Sequence, residues 1–259
     1  MDIDAPGLFG KIPLVGDFVT RRLPRSFLDP WDEWLQAALA SSREELDEDW
    51  LSCYLTSPIW RFALSPDLAG PSPYTGIMMP SVDKAGRYFP LTLAVSLPND
   101  ANVFQIAGKA HEWYASAESI ALSILGDEPP SIDILDSQVT ELGLPFSPQH
   151  DAGEEPGTET GDNKSGNWYI SMRSVDALND TLPVLLQHLA GIHYDKYSVW
   201  WTDGSEQIDP ATLVCANLPS ATGYAAMLGG KWQEHGWDEL QYSEVSSDPA
   251  LPEQVEECS

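Results

Sequence analysis

The chain reads as an α/β protein of the α+β type: a mixed, largely antiparallel central sheet with helices packed on both faces, a three-layer sandwich. Short apolar runs of strand character interleave irregularly with segments of helical periodicity, without the strict β-α-β alternation of a parallel fold. Two such runs flank Asp83-Lys84-Ala85-Gly86, where the glycine can take the positive φ of a hairpin loop, so those strands are antiparallel. The second arm alternates Leu91, Leu93, Val95 and Leu97 with Thr92, Ala94 and Ser96, small residues that let its other side be covered as well. A parallel doubly wound order is the alternative topology.

In chain order, residues 7–20 (GLFGKIPLVGDFVT) suit a short strand followed by an irregular loop. Asp29 as cap, Pro30 at the first helical position, and Asp32 and Glu33 beside the positive dipole end predict a helix start. Its apolar face is Trp31, Trp34, Leu35, Ala38 and Leu39. A second helix is expected over 46–55, stopped by Pro58, then a strand at 59–64 and hairpin arms at 77–82 and 88–97. Residues 102–125 read as one long helix capped by Asn102, and 132–142 as a shorter one. Between 145 and 166 the composition turns to Pro, Gly, Ser, Thr and acidic residues, the pattern of a flexible surface insertion. Strands at 168–172, 198–202 and 212–217, a helix from about 176 to 189 and a last helix from near 220 complete a single domain over 1–240. Residues 241–259 are expected to be a disordered acidic tail.

At 259 residues, with 42% hydrophobic content and ten Trp, the chain can bury a self-sufficient core. The formal charge of -27 repels nucleic acid and anionic membranes and favours basic partners. The acidity is uneven: residues 1–100 carry 8 basic and 14 acidic side chains, residues 101–259 carry 5 and 26. Cys53, Cys215 and Cys258 lie far apart, without a CxxC pair or histidines at ligand spacing, so neither a zinc site nor a disulfide framework is expected. No apolar run approaches the ~18 residues of a membrane span, and residues 1–10 lack a basic segment leading into an apolar one, so a cytoplasmic address is expected.

Catalytic signatures are absent: no GxxxxGK[ST], GxSxG, GxGxxG or HExxH occurs. The five histidines are scattered, and paired carboxylates arise by chance in so acidic a chain. No enzyme, metal or cofactor is expected. The basic residues are more telling, because Lys11, Arg21, Arg22, Arg25, Arg61, Lys84 and Arg87 make up seven of the thirteen. Each is either a structural ion-pair or stacking residue or an anchor on a binding surface. Lys11, Arg21 and Arg22 form the centre of a candidate surface for an acidic or phosphorylated partner, unless Asp17 pairs with Arg21 or Arg22 and neutralises the loop. Arg61 and Arg87 extend the candidate set. Of Trp200 and Trp201, on opposite faces of one strand, the second is either core or exposed for a partner.

GLFGKIPLVGDFV at 7–19, LPRSFLDPWDEWLQ at 23–36, LTSPIWRFALSP at 55–66, MMPSVDKAGRYFPLT at 78–92 and SVWWTDGS at 198–205 together resemble the TagF (ImpM) family over most of residues 7–230. The insertion and the tail look like departures from the family's common length. The resemblance implies a post-translational repressor of type VI secretion without enzymatic activity, acting in the cytoplasm by binding the secretion system's forkhead-associated scaffold protein, in some systems alongside a threonine phosphorylation pathway. A structural component of the secretion machine is the alternative it leaves open.

Overall fold

The computed structural model describes residues 5–145, 169–172, 174 and 177–240. Strands β1 (Gly7–Gly10) and β2 (Val19–Arg21) precede helices α1 (Arg25–Leu46) and α2 (Trp50–Thr56). Strands β3 (Trp60–Leu64), β4 (Tyr74–Met79) and β5 (Leu91–Ser96) follow, then helices α3 (Val103–Lys109), α4 (His111–Ser123), α5 (Ile132–Glu141) and α6 (Leu178–His193). The chain returns to the sheet through β6 (Tyr197–Thr202) and β7 (Ala211–Ala216) before α7 (Gly223–Gly229). The seven strands form one sheet in the order β2-β1-β5-β4-β3-β6-β7. Every pairing is antiparallel, with Trp60 opposite Met78, Met79 opposite Leu91 and Arg61 opposite Trp201.

Alternation along the strands divides two cores. On one face Phe9, Trp60, Phe62, Leu64, Ala94 and Trp200 meet α1, α2 and α7. On the other, Leu8, Ile77, Leu91, Leu93 and Val95 meet α4 and α5, while Ala63, Tyr197 and Val199 meet α3 and α6. Helices therefore cover both faces, and the expected three-layer sandwich is the observed one; the parallel alternative is not.

Local differences have physical causes. Helix α1 starts at Arg25, not at Asp29, with Pro24 as N-cap and Pro30 inside the helix. Pro30 forfeits one intrahelical hydrogen bond, but the extra turn buries Phe27, whose ring lies 4.5 Å from Tyr74 and 5.3 Å from Trp31. The hairpin arms are displaced: pairing ends at Met79 and Leu91, and between them stands only the isolated bridge of Val82 with Tyr88. Pro80 and Pro90 bound this stretch and cannot donate to a ladder. The expected long helix is two, meeting at Ala110, because α3 packs on β3 and α6 while α4 packs on β4 and β5. Asn102 caps as expected, accepting from the backbone N–H groups of Phe104 and Gln105, both at 3.0 Å.

The helix expected from about 176 ends at His193, four residues beyond expectation. Residues 169–172 form no strand, and Tyr169 and Met172 are exposed. Trp168, residues 146–166 of the expected insertion and the expected tail lie outside the described residues. No helix among the described residues is long and apolar enough to cross a membrane.

Candidate docking site at the end of the sheet

Two of the basic residues picked out in the sequence, Lys11 and Arg87, come together on one carboxylate. The turn at 83–87 closes through Gly86, whose φ is +82°, with the Asp83 N–H donating to the Arg87 carbonyl at 3.0 Å. Asp83 is buried inside that turn. Its Oδ1 accepts from the backbone N–H groups of Ala85 (2.8 Å) and Arg87 (2.9 Å), and its Oδ2 accepts from Arg87 Nε at 2.7 Å and meets Lys11 Nζ at 3.1 Å. Burial by itself would raise the Asp83 pKa, but the Arg87 N–H, the Lys11 ammonium, the Arg87 guanidinium and the Ala85 N–H outweigh it and hold the carboxyl well below the usual range. Lys11, itself buried, has its charge matched in place.

The same contacts tie two loops into one body. The Lys84 N–H donates to the Val15 carbonyl at 2.9 Å, and the Arg87 guanidinium donates to the Gly16 carbonyl. Beside them Phe18 packs on the buried rings of Phe9 and Phe89, with centroids 4.8 to 5.8 Å apart, and Lys11 Nζ lies 5.1 Å above the Phe18 ring. The buried Tyr54 hydroxyl both donates to the Ser81 carbonyl (2.8 Å) and accepts from the Ser81 N–H (3.0 Å), fixing the second loop to α2. What remains on the outside is Asp17, Lys84, the Arg87 guanidinium and Phe18, 43% exposed. The joined loops carry three basic and two acidic side chains, Lys11, Lys84 and Arg87 against Asp17 and Asp83, a small positive excess in a strongly acidic chain.

The remaining candidates lie elsewhere. Arg21 is exposed and donates to the Thr20 carbonyl at 2.9 Å. Arg22, in left-handed backbone at φ +58°, is turned inward: Nε donates to the Pro6 carbonyl (2.7 Å) and Nη1 to Asp136 of α5 (2.6 Å). The alternative pairing of Asp17 with Arg21 or Arg22 is not formed; the Asp17 carboxylate accepts from the Phe18 N–H at 2.8 Å. Arg61 lies on the opposite face of the sheet, between Glu118 (2.5 and 3.1 Å) and Asp203 (2.6 Å). Its pKa is raised first by the Glu118 hydrogen bond. Trp201 stands edge-on to Tyr114 at 5.0 Å, partly buried, with a buried indole N–H that no acceptor among the described residues meets. Arg61 and Trp201 belong to the packing between sheet and α4.

Sequence reading missed Asp83 as the organising residue and Phe18 as the exposed aromatic. The signal for Asp83 was its place at the first position of a Gly-closed turn with arginine four residues on; nothing local marks Phe18. Among the described residues no group of three or more His, Cys, Asp or Glu side chains is placed to hold a metal ion.

Comparison with known proteins matches residues 7–142 to the TagF N-terminal domain, described as type VI secretion system-associated. No curated protein matches the sequence. Among solved structures the chain is similar to PA0076 from Pseudomonas aeruginosa PAO1, with 32% identity and a TM-score of 0.74, over 93% of this chain and 100% of that one. The loops joined at Asp83 both fall inside the matched domain, and this chain belongs to the TagF family of type VI secretion system-associated proteins.

Proposed function

We propose that this chain is a non-enzymatic, post-translational repressor of type VI secretion, acting in the cytoplasm by binding the system's forkhead-associated scaffold protein through the joined loops at 11–18 and 80–90. The observation that carries the site is an exposed aromatic ring, Phe18, beside exposed cations on a body whose backbone is held by Asp83. Rigid presentation of an aromatic and an arginine suits protein docking, because little conformational entropy is lost on binding. The local positive excess suits an acidic or phosphorylated partner surface.

Two experiments test this. Overproducing the chain in its host should stop export of the secreted tube protein without lowering its cellular level; unchanged export with abundant folded protein refutes repression. Phe18→Ser combined with Lys84→Glu leaves the Lys11–Asp83–Arg87 contacts in place and should abolish capture of the scaffold in a pull-down. A folded double variant that captures as well as wild type places the surface elsewhere.

A further inference from the structure

Helix α6 has two apolar faces, and among the described residues only one of them is packed into the core. Its inner side carries Pro183, whose carbonyl accepts from Asn102 Nδ2 (3.0 Å), Gln187, whose Oε1 accepts from the Val103 N–H (3.1 Å), and the buried Ala190. Round the other side run Leu178, Leu182, Leu185, Leu189 and Ile192, spaced four, three, four and three residues apart. That is the a/d spacing of a coiled-coil seam over two heptads. Leu185 is half-buried, and the other four are 38 to 63% exposed. On the flanks Val184 and Leu186 are exposed too, so the seam is part of a contiguous apolar patch, the kind of surface that on a monomer is often functional.

Charge decides what can cover it. At -27 this chain repels its own copies over most of its surface. Within α6 the sequence LNDTLPVLLQHLAGIH holds a single carboxylate and no Lys or Arg. That carboxylate, Asp180, sits on the side away from the seam and is matched by Lys109 of α3. Two such seams brought together set no carboxylate against another. A repeating four-three pattern is also complementary to itself when one helix is reversed, the requirement of a two-fold contact.

We infer that α6 is a self-association surface, pairing antiparallel with α6 of a second copy of this chain. Two copies of the seam bury an area at the low end of protein interfaces, below ~1,200 Å² in total, so the dimer is weak and reversible, with a dissociation constant in the micromolar range.

The test is sedimentation equilibrium of the full chain, under reducing conditions, over a concentration series crossing the micromolar range. Wild type should move reversibly from monomer to dimer. Leu182→Glu with Leu189→Glu should remain monomeric throughout, with helical circular dichroism and Tm unchanged. Should that variant unfold, Leu182→Ala with Leu189→Ala keeps the helix and should weaken the dimer by about tenfold or more. A wild type that stays monomeric, or a folded variant that dimerises as wild type does, overturns the inference. Replacing residues 146–168 with a short Gly/Ser linker should leave the dissociation constant unchanged. Self-association that appears only after that replacement would mean the chain covers the seam itself, and the inference fails.

Discussion

Asp83 is the residue on which the candidate site depends, because a single buried carboxylate receives two backbone N–H groups, an ammonium and a guanidinium. Asp83→Asn keeps the size of the group but leaves Lys11 buried without its counter-charge, and should lower Tm by several degrees. Because the folded-state pKa is depressed, the carboxylate's contribution is present above the unfolded value and is lost as pH falls through the folded one. The Tm gap between wild type and Asp83→Asn should therefore hold constant from about pH 5 to 8 and narrow below the unfolded value of about 3.9. Thermal melts of both proteins across that range check it, and a gap that grows on acidification contradicts the assignment. Arg21 and Arg22 separate at the same scale. Arg21→Glu changes an exposed side chain and should leave Tm nearly unchanged, whereas Arg22→Glu sets a carboxylate against Asp136 and the Pro6 carbonyl and should destabilise measurably.

At the scale of elements, α1 is the most heavily committed helix. Trp31 is fully buried against Phe27, Phe62 and Trp200 and donates its indole N–H to Thr92 Oγ1 at 3.0 Å, linking helix to sheet. Trp31→Ala should cost about 3–5 kcal/mol, a fall of roughly 10 °C in Tm for a chain of this size, readable by calorimetry. Strand β4 carries a less visible constraint. A Cβ on Gly76 would lie 2.1 Å from the Leu93 carbonyl oxygen and 2.7 Å from the Phe62 ring. Gly76→Ala should thus destabilise by about 1–3 kcal/mol as an overpacked core position, while Gly16→Ala, with open space around it, should be nearly neutral.

For the whole molecule the dominant feature is charge. Self-repulsion at -27 opposes the compact state, and salt screens it. Raising ionic strength from about 10 mM to about 150 mM shortens the Debye length from roughly 30 to 8 Å and should raise Tm, although it weakens exposed pairs such as Lys109 with Asp180. A Tm that falls with added sodium chloride would mean that attractive pairs, not net repulsion, control stability. The same repulsion confines contacts between copies to charge-free surface, and α6 provides such a surface.

Periodicity and composition by themselves determined the layered architecture, the antiparallel hairpin, the Asn102 cap and the buried stripe of α1, because each depends on residues within a few positions of one another. The positive φ of Gly86 was legible for the same reason. The tertiary structure decided what depends on distant partners. It carried α1 back through Pro30 because Phe27 finds Tyr74, and it broke one expected helix at Ala110 because two parts of the sheet demand different directions. It also sorted the basic residues. Lys11 and Arg87 share Asp83, Arg22 holds α5, and Arg61 is enclosed by Glu118 and Asp203. A charged side chain looks the same in sequence whether it is free for a partner or consumed by the fold, since the carboxylate that neutralises it can lie more than a hundred residues away, as Asp136 does from Arg22.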